Sequence, residues 1–413
     1  MNSSENRLQS TIQRRFFGVF FLALLIPSIF VVLGTYIVDP YDLYPDISKS
    51  DTPKGHHLFW SLRLHKPHRI QQVKPRHLIL GTSRSARLPP KLMVEGDESV
   101  YNAAMPGATL FEIARTLEHA QQVQPLDTVL LGLDYSMFRA GQSKYLAGFE
   151  TKRLRQAHAS PLQNAQFGWQ QFVDLWKTLY SRTAVLASLD TLRDKDRSNW
   201  KFSEDGSWRN MPGKHSGNWM YAKLAQQKFI EFSTLEQEHD MQPLHRIVVY
   251  CHENNIQLKL LLVPTHAHIM NSINLAGGWA RYLEYQREVT LIAESYREKS
   301  HNVHVFGIEN NVEFVFEPIE AQHPWFVDGV HFTPEAGREI MNCMYPNKSI
   351  TRASNAACNP NFTPQTLDAE NIDTYLANIS QLKDEYSSAR NSDFRKLKKQ
   401  IHTLKTKLNQ ELK

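Results

Sequence analysis

Residues 16–38, from Phe16 to Val38, carry no charged side chain, and among these twenty-three positions the polar interruptions are only Ser28, Thr35 and Tyr36. As a helix the stretch rises about 34 Å, enough to cross a bilayer. A buried core helix is rarely apolar on all faces over this length. The stretch therefore predicts a membrane span, with Pro27 tolerable inside it. Arg14 and Arg15 abut its start, whereas Asp39, Asp42 and Asp46 follow its end. The positive-inside tendency then predicts a cytoplasmic segment 1–15 and a large domain across the membrane. Tyr36-Ile37-Val38-Asp39-Pro40 is a poor cleavage site, so 16–38 reads as an uncleaved signal anchor. The expected location is a single-pass inner-membrane protein with a periplasmic domain.

Of the 413 residues, 41% are hydrophobic and 22% charged, a balance that suits a globular domain beyond the anchor. The net charge is +5, and the basic residues are dispersed until the last twenty positions, so no nucleic-acid partner is expected. Cys251, Cys343 and Cys358 are too few for a disulfide scaffold and lack metal spacing. They read as free thiols, with a Cys343–Cys358 bridge the alternative in an oxidising compartment. No metal or other cofactor is expected.

Residues 39–75 read as a linker between membrane and domain. His56, His57, His65 and His68 read there as solvated histidines, since no carboxylate or cysteine frames them as metal ligands. The domain, 76–345, begins with a buried strand His77–Leu80, followed by Gly81-Thr82-Ser83. Apolar runs predict further strands at 99–104, 128–133, 258–263 and 303–306. Helical spacing predicts helices over about 110–123, capped by Thr109, and over 241–254, 280–299 and 334–343, the last opened by Thr333-Pro334. This alternation calls for an α/β fold around a parallel sheet covered on both faces.

Two regions stand outside that alternation. Residues 137–240 form an aromatic-rich insertion with Trp169, Trp176, Trp200, Trp208 and Trp219, expected to overhang the active edge. Those rings either stack on sugars or fill the core of a small helical subdomain. Residues 346–413 read as a linker and a helical tail with a heptad-like stripe through Ile372, Tyr375, Ile379, Leu382 and Tyr386, resumed at Phe394, Leu397 and Ile401. Such a stripe folds back as a hairpin or pairs with another copy as a coiled coil.

Ser83 stands just past the carboxyl end of a strand, where parallel sheets place their ligands. Asp328-Gly329-Val330-His331 offers a histidine with a carboxylate three residues before it, able to orient the imidazole as a base. Gly81-Thr82-Ser83, then Gly107, then Gly132-Leu133-Asp134, then Asp328-Gly329-Val330-His331 follow one another over roughly 75–345. In that order and separation the chain resembles the SGNH (GDSL-type) hydrolase superfamily. The resemblance implies a flavodoxin-like three-layer fold, Ser83 as nucleophile, His331 as base with Asp328, and an oxyanion held by the amides of Ser83 and Gly107. In layout it is similar to membrane-anchored, extracytoplasmic O-acetyltransferases of the alginate-acetylation kind. That likeness implies a polysaccharide acceptor and a multi-spanning membrane acyltransferase as donor partner.

The chain departs from the family at one point. The family places an asparagine and then an aspartate after the third glycine, and here Asp134 and Tyr135 stand there. Asp134 is either protonated by burial, turned away, or replaced as an oxyanion donor by Asn102 or Arg84; otherwise catalysis is weak or lost. Arg84, His266 and Trp325 are the expected substrate contacts. The leading expectation is a serine O-acyltransferase. An esterase or deacetylase with the same triad, or a non-catalytic scaffold of a cell-envelope assembly, are the alternatives.

Overall fold

A computed structural model describes residues 2–44, 55–139, 144–193, 201–210, 217–233, 240–300, 302–319, 325–346 and 358–411. Trp200 and most of the expected linker after 345 lie outside them. Helix α1 (Asn2–Val38) contains one window, Gln13–Val38, long and apolar enough to cross a membrane. Two helices follow, α2 (Gly55–Trp60) and α3 (Leu62–Val73), then β1 (His77–Leu80), β2 (Val100–Asn102), α4 (Leu110–Val123) and β3 (Thr128–Leu133). The next stretch holds α5 (Pro161–Tyr180), α6 (Arg182–Arg193), a hairpin of β4 (Lys201–Phe202) and β5 (Trp208–Asn210), and α7 (Gly217–Ser233). Then come α8 (Gln242–Glu253), β6 (Gln257–Leu262), α9 (Ala267–Leu275), α10 (Trp279–Ser300), β7 (Val303–Gly307), α11 (Val312–Val315) and α12 (Pro334–Met344). The chain closes with β8 (Gln365–Leu367), α13 (Ile372–Ala389) and α14 (Asn391–Glu411).

Six strands make one sheet in the order β2-β1-β3-β6-β7-β8. Five are parallel, and β8 pairs antiparallel with β7. Successive side chains point to opposite faces of a strand. Leu78, Leu80, Val129, Leu131, Leu258 and Leu260 accordingly enter one apolar core, while Ile79, Leu130, Leu261 and Val263 enter the other. Helices cover both faces, which is why the strands read as unbroken apolar runs. Thr109 caps α4 as expected, in a reciprocal pair with Glu112.

The expected linker is not one. α3 is part of the domain: His65 and Lys66 are buried, and Lys66 Nζ donates to the carbonyls of Asn102 (2.6 Å) and Gly206 (2.7 Å). His68 is not merely solvated either, since its Nε2 lies 3.2 Å from Asp174. The sequence hid this burial because the groups that satisfy these polar side chains lie far away along the chain.

The domain also runs past 345. β8 extends the sheet, and Ile372, Tyr375, Leu376, Ile379, Leu397 and Ile401 fill the larger core. The stripe of the tail is therefore spent on this chain's own α7, α9 and α10, not on a coiled coil with another copy. Cys343 and Cys358 form a disulfide, so only Cys251 is free, and burial raises its thiol to about 12. The insertion divides three ways. α5 and α6 pack on α1, the β4–β5 hairpin docks on β2 through Asn102 N–H and the Asp205 carbonyl (2.8 Å), and α7 packs on α9.

Candidate active site

The loop after β1 is built on close approach. Gly81 has φ of +140°, and a Cβ on Gly81 or on Gly132 would overlap the Ser85 side chain, which sits between them. The chain thus turns sharply at the end of β1 and leaves Ser83 half-buried at the carboxyl edge of the sheet. The loop after β2 lies alongside, because Met105 N–H donates to the Gly81 carbonyl at 3.0 Å. Gly107, with φ of +62°, turns that loop. Among the described residues, none accepts from the backbone N–H of Ser83 or of Gly107.

Residues 325–333 form a second rim. Phe326 bridges Phe332, Val327 N–H donates to the His331 carbonyl (2.8 Å), and Thr333 N–H to that of Trp325 (2.7 Å). Gly329, at φ of +83°, turns the tip. Asp328 Oδ1 accepts from the Val330 and His331 amides at 3.1 and 2.8 Å, and its Oδ2 lies 2.8 Å from His331 Nδ1. His331 Nε2 lies 2.8 Å from Ser83 Oγ. Ser83, His331 and Asp328 are thus one unbroken hydrogen-bonded relay, with Nδ1 donating and Nε2 free to accept. Burial pushes the Asp328 carboxyl up, but His331 and the two amides outweigh it and hold the group below its ordinary range. The His331 side chain keeps 21% of its exposure, so the relay opens to solvent.

The other expected site residues stand elsewhere. Asp134 is neither protonated nor free. Burial raises its carboxyl, but the Arg84 charge and hydrogen bonds from Thr82 and Arg84 bring it below the ordinary value. Arg84 Nη1 lies 2.7 Å from Asp134 Oδ1, while its Nη2 donates to the carbonyls of Val263 (2.9 Å) and Pro264. Arg84 is therefore a buried strut between β1, β3 and β6, not a substrate contact. Asn102 is not an oxyanion donor, since its Nδ2 donates to the Ser85 and Leu88 carbonyls, both at 2.9 Å.

His266 is wholly buried, and burial drives its imidazole down to about 3. Its Nδ1 accepts from His268 N–H at 3.0 Å, capping α9, and its Nε2 donates to the Glu317 carbonyl at 2.9 Å. Its own N–H donates to the Gly329 carbonyl at 2.9 Å. His266 thus supports the hairpin that carries His331 and has no access to substrate. Trp325 packs edge-on against Phe362 and lines a cavity of about 540 Å³ with Phe316, Glu317 and Arg390; neither Ser83 nor His331 lines it.

Three residues join the site without a sequence signal. Glu317, raised to about 7 by burial, accepts from the Trp325 and Phe326 amides at 2.5 and 2.7 Å and fixes the base of the hairpin. Leu146 lies against Gly107, held there by its N–H to Glu112 Oε1 at 2.9 Å. The Tyr221 ring lies against Gly329. Leu146 and Tyr221 act across long sequence separations, whereas Glu317 lies only eight and nine residues before its partners. Of the five tryptophans, Trp208 is buried, whereas Trp169 and Trp176 stand on α5, which packs beside α1. Trp219 is exposed, two residues before Tyr221 on α7.

His77, Glu98 and Asp127 also offer clustered ligand atoms, but at the amino end of β1, and they pair with one another and with Arg76. Fold and site together define an α/β protein with a Ser–His–Asp relay at the carboxyl edge of its sheet. No family model, no curated protein and no solved structure matches this chain.

Proposed function

We propose that this chain is a membrane-anchored serine O-acyltransferase of the SGNH type, modifying a cell-surface or exported polysaccharide, with acetyl as the acyl group. The observation that carries this reading is the continuous relay Ser83–His331–Asp328. The five parallel strands add to it, because their order, counted along the chain, is 2-1-3-4-5, that of flavodoxin-like folds. The disulfide and the charges flanking α1 favour an oxidising compartment across the membrane.

In this reading Ser83 Oγ attacks the donor's acyl carbonyl while its proton passes to His331 Nε2. Asp328 steadies the imidazolium. The Ser83 and Gly107 amides, which have no other described acceptor, receive the oxyanion. The leaving group departs with the proton from His331, leaving acyl-Ser83. A sugar hydroxyl then attacks, giving its proton to His331, and Ser83 regains it as the ester leaves. Trp219, exposed on the helix that touches Gly329, is the tryptophan best placed to stack on a sugar. A multi-spanning membrane partner supplies the donor, since activated acyl carriers are cytoplasmic.

Because Asp134 is locked to Arg84, the site has no side-chain oxyanion donor in the family's position, which favours the scaffold as the second reading. Labelled acetyl ester, supplied with oligosaccharide to the detergent-solubilised protein, should leave label on sugar. Label released only as free acetate makes the protein an esterase. Failure of a serine-directed fluorophosphonate to modify Ser83 in the folded protein leaves the scaffold.

A further inference from the structure

α5 and α6 leave the sheet and stand beside α1. Tyr180 Oη lies 2.7 Å from Ser28 Oγ, the Thr35 hydroxyl donates to the Leu179 carbonyl at 2.6 Å, and Tyr44 Oη lies 3.0 Å from Thr178 Oγ1. Ser28 and Thr35 belong to the apolar window Gln13–Val38. Ser28 is about 15 Å of helix inside Val38. The turn between α5 and α6 therefore lies alongside residues of the span itself. The inner faces of both helices are occupied: Ala184 and Ala187 pack on Tyr41 and Leu43, and Arg153 grips Asp174 with two bonds of 2.6 and 3.0 Å.

Their outer faces are not. α5 exposes Trp169, Phe172, Leu175, Trp176 and Tyr180, and α6 exposes Leu186, Leu189 and Leu192. Outside α1, nine of the fifteen exposed large apolar side chains among the described residues belong to these two helices. A patch of that size on a soluble surface marks an interaction site. Here it continues the apolar surface of α1, and tryptophan is a residue type that settles at headgroup level, while Tyr180 reaches inward to Ser28.

We propose that α5 and α6 form an interfacial membrane hairpin, with their exposed faces in the lipid of the leaflet that α1 leaves at Val38. The proposal rests on reading α1 as a bilayer span. Lys177 and Arg182, both exposed near the turn, extend their charged ends back to the headgroups. Asp39 closes the exit from α1, since its carboxylate accepts from the Leu43 and Tyr44 amides at 2.9 and 2.8 Å. Anchor, exit and hairpin then hold the domain at one height and one tilt over the membrane.

The test uses the full chain in phospholipid nanodiscs, with a nitroxide on one new cysteine at a time: Phe172→Cys, Leu189→Cys, Phe30→Cys in α1, and Lys91→Cys on the domain. Native Cys251 is buried and the other two cysteines are bridged, so labelling without reductant is selective. Oxygen reports lipid and a nickel chelate reports water. Labels at 172 and 189 should match position 30, with an oxygen-to-nickel ratio several-fold above that at 91. Nickel access at 172 and 189 beside a lipid-facing 30 would overturn the hairpin and leave the anchor standing. Shielding of both positions from both reagents would mean that a second copy covers the face, and overturns it too. A water-exposed position 30 would remove the span, and the hairpin with it.

Discussion

Asp134, after β3, and Asp328, in the hairpin before α12, stand at the same edge of the sheet. Both are nearly as buried, at 6% and 5% exposure, and both are held below the ordinary carboxylate range. Their partners differ. Asp134 faces a guanidinium that does not give up its proton and that is also bonded to the backbone carbonyls just past β6. Asp328 faces an imidazole that opens to solvent and touches a serine hydroxyl. The first pair joins β1 to β3 and β6. The second can pass a proton. What a buried carboxylate does is set by the proton affinity and exposure of its partner, not by its own burial.

The largest expected effect breaks the relay. Ser83→Ala and His331→Ala should each lower acyl transfer by at least about 10³-fold with the melting temperature preserved, and the double variant should cost little more. Near-full turnover by Ser83→Ala would remove the serine mechanism. Next is the tail. Cutting the chain before residue 366 removes β8 and α13, whose Tyr375 is wholly buried and accepts from Glu309 N–H at 3.0 Å. The truncated protein should lose its cooperative melt. A truncated domain that melts like the intact one would show that the core closes without the tail.

A matched pair of substitutions sharpens the comparison directly. Asp134→Asn strands a buried Arg84 and should cost about 3–5 kcal/mol in denaturant titrations. It should not raise activity, although it restores the asparagine that the SGNH resemblance calls for. Asp328→Asn keeps an acceptor for the two amides and should change stability far less. It presents an amide N–H to His331 Nδ1, selects the wrong tautomer, and should reduce turnover on the order of 10⁴-fold. The reverse pattern, with Asp134→Asn stable and inactive, would make Asp134 part of the chemistry.

The sequence carried the strands because burial on both faces leaves unbroken apolar runs, as in Thr128–Leu133. It carried α4 because a capping box is local. The relay was legible for a similar reason: Gly81-Thr82-Ser83 follows a strand directly, and Asp328 and His331 are three residues apart. What it hid is long-range satisfaction of polar groups. Arg84 looked available because its partners lie 50 and about 180 residues on. His65 looked solvated for the same reason, since its Nδ1 lies 3.2 Å from the carbonyl of Tyr41, 24 residues back. β8 escaped notice because three residues, one of them apolar, make no pattern, and its pairing is supplied by β7. Leu146 had no signal at all, since only folding brings it to Gly107.

The smallest expected effect concerns the buried histidine that steadies the Asp328 side. His266 is kept neutral in the folded chain, near 3, whereas in the unfolded chain it protonates near its ordinary value of about 6.5. Below that value the unfolded state takes up a proton that the folded state refuses. Its contribution to stability is therefore full above pH 6.5 and is lost as pH falls toward 3, by up to about 1.4 kcal/mol per pH unit. His268 and His119, both lowered to about 4 by burial, act in the same direction. Glu317, raised to about 7, acts in the opposite one. Those three titrate alike in the parent and in His266→Asn, so they cancel in the difference between the two. Asparagine retains an acceptor to cap α9 but gives up the bond to the Glu317 carbonyl, so the variant should be less stable at pH 7.5 by about 1–3 kcal/mol. That gap should narrow as the pH is lowered from 6.5 to 5, by about 2 kcal/mol. In the parent Arg84 stays charged and Asp134, held below the ordinary carboxylate range, stays ionised over this range, so that pair adds nothing to the slope. Parallel pH profiles for His266→Asn and the parent would show that His266 is protonated in the folded protein, and that the hairpin is held by some other contact.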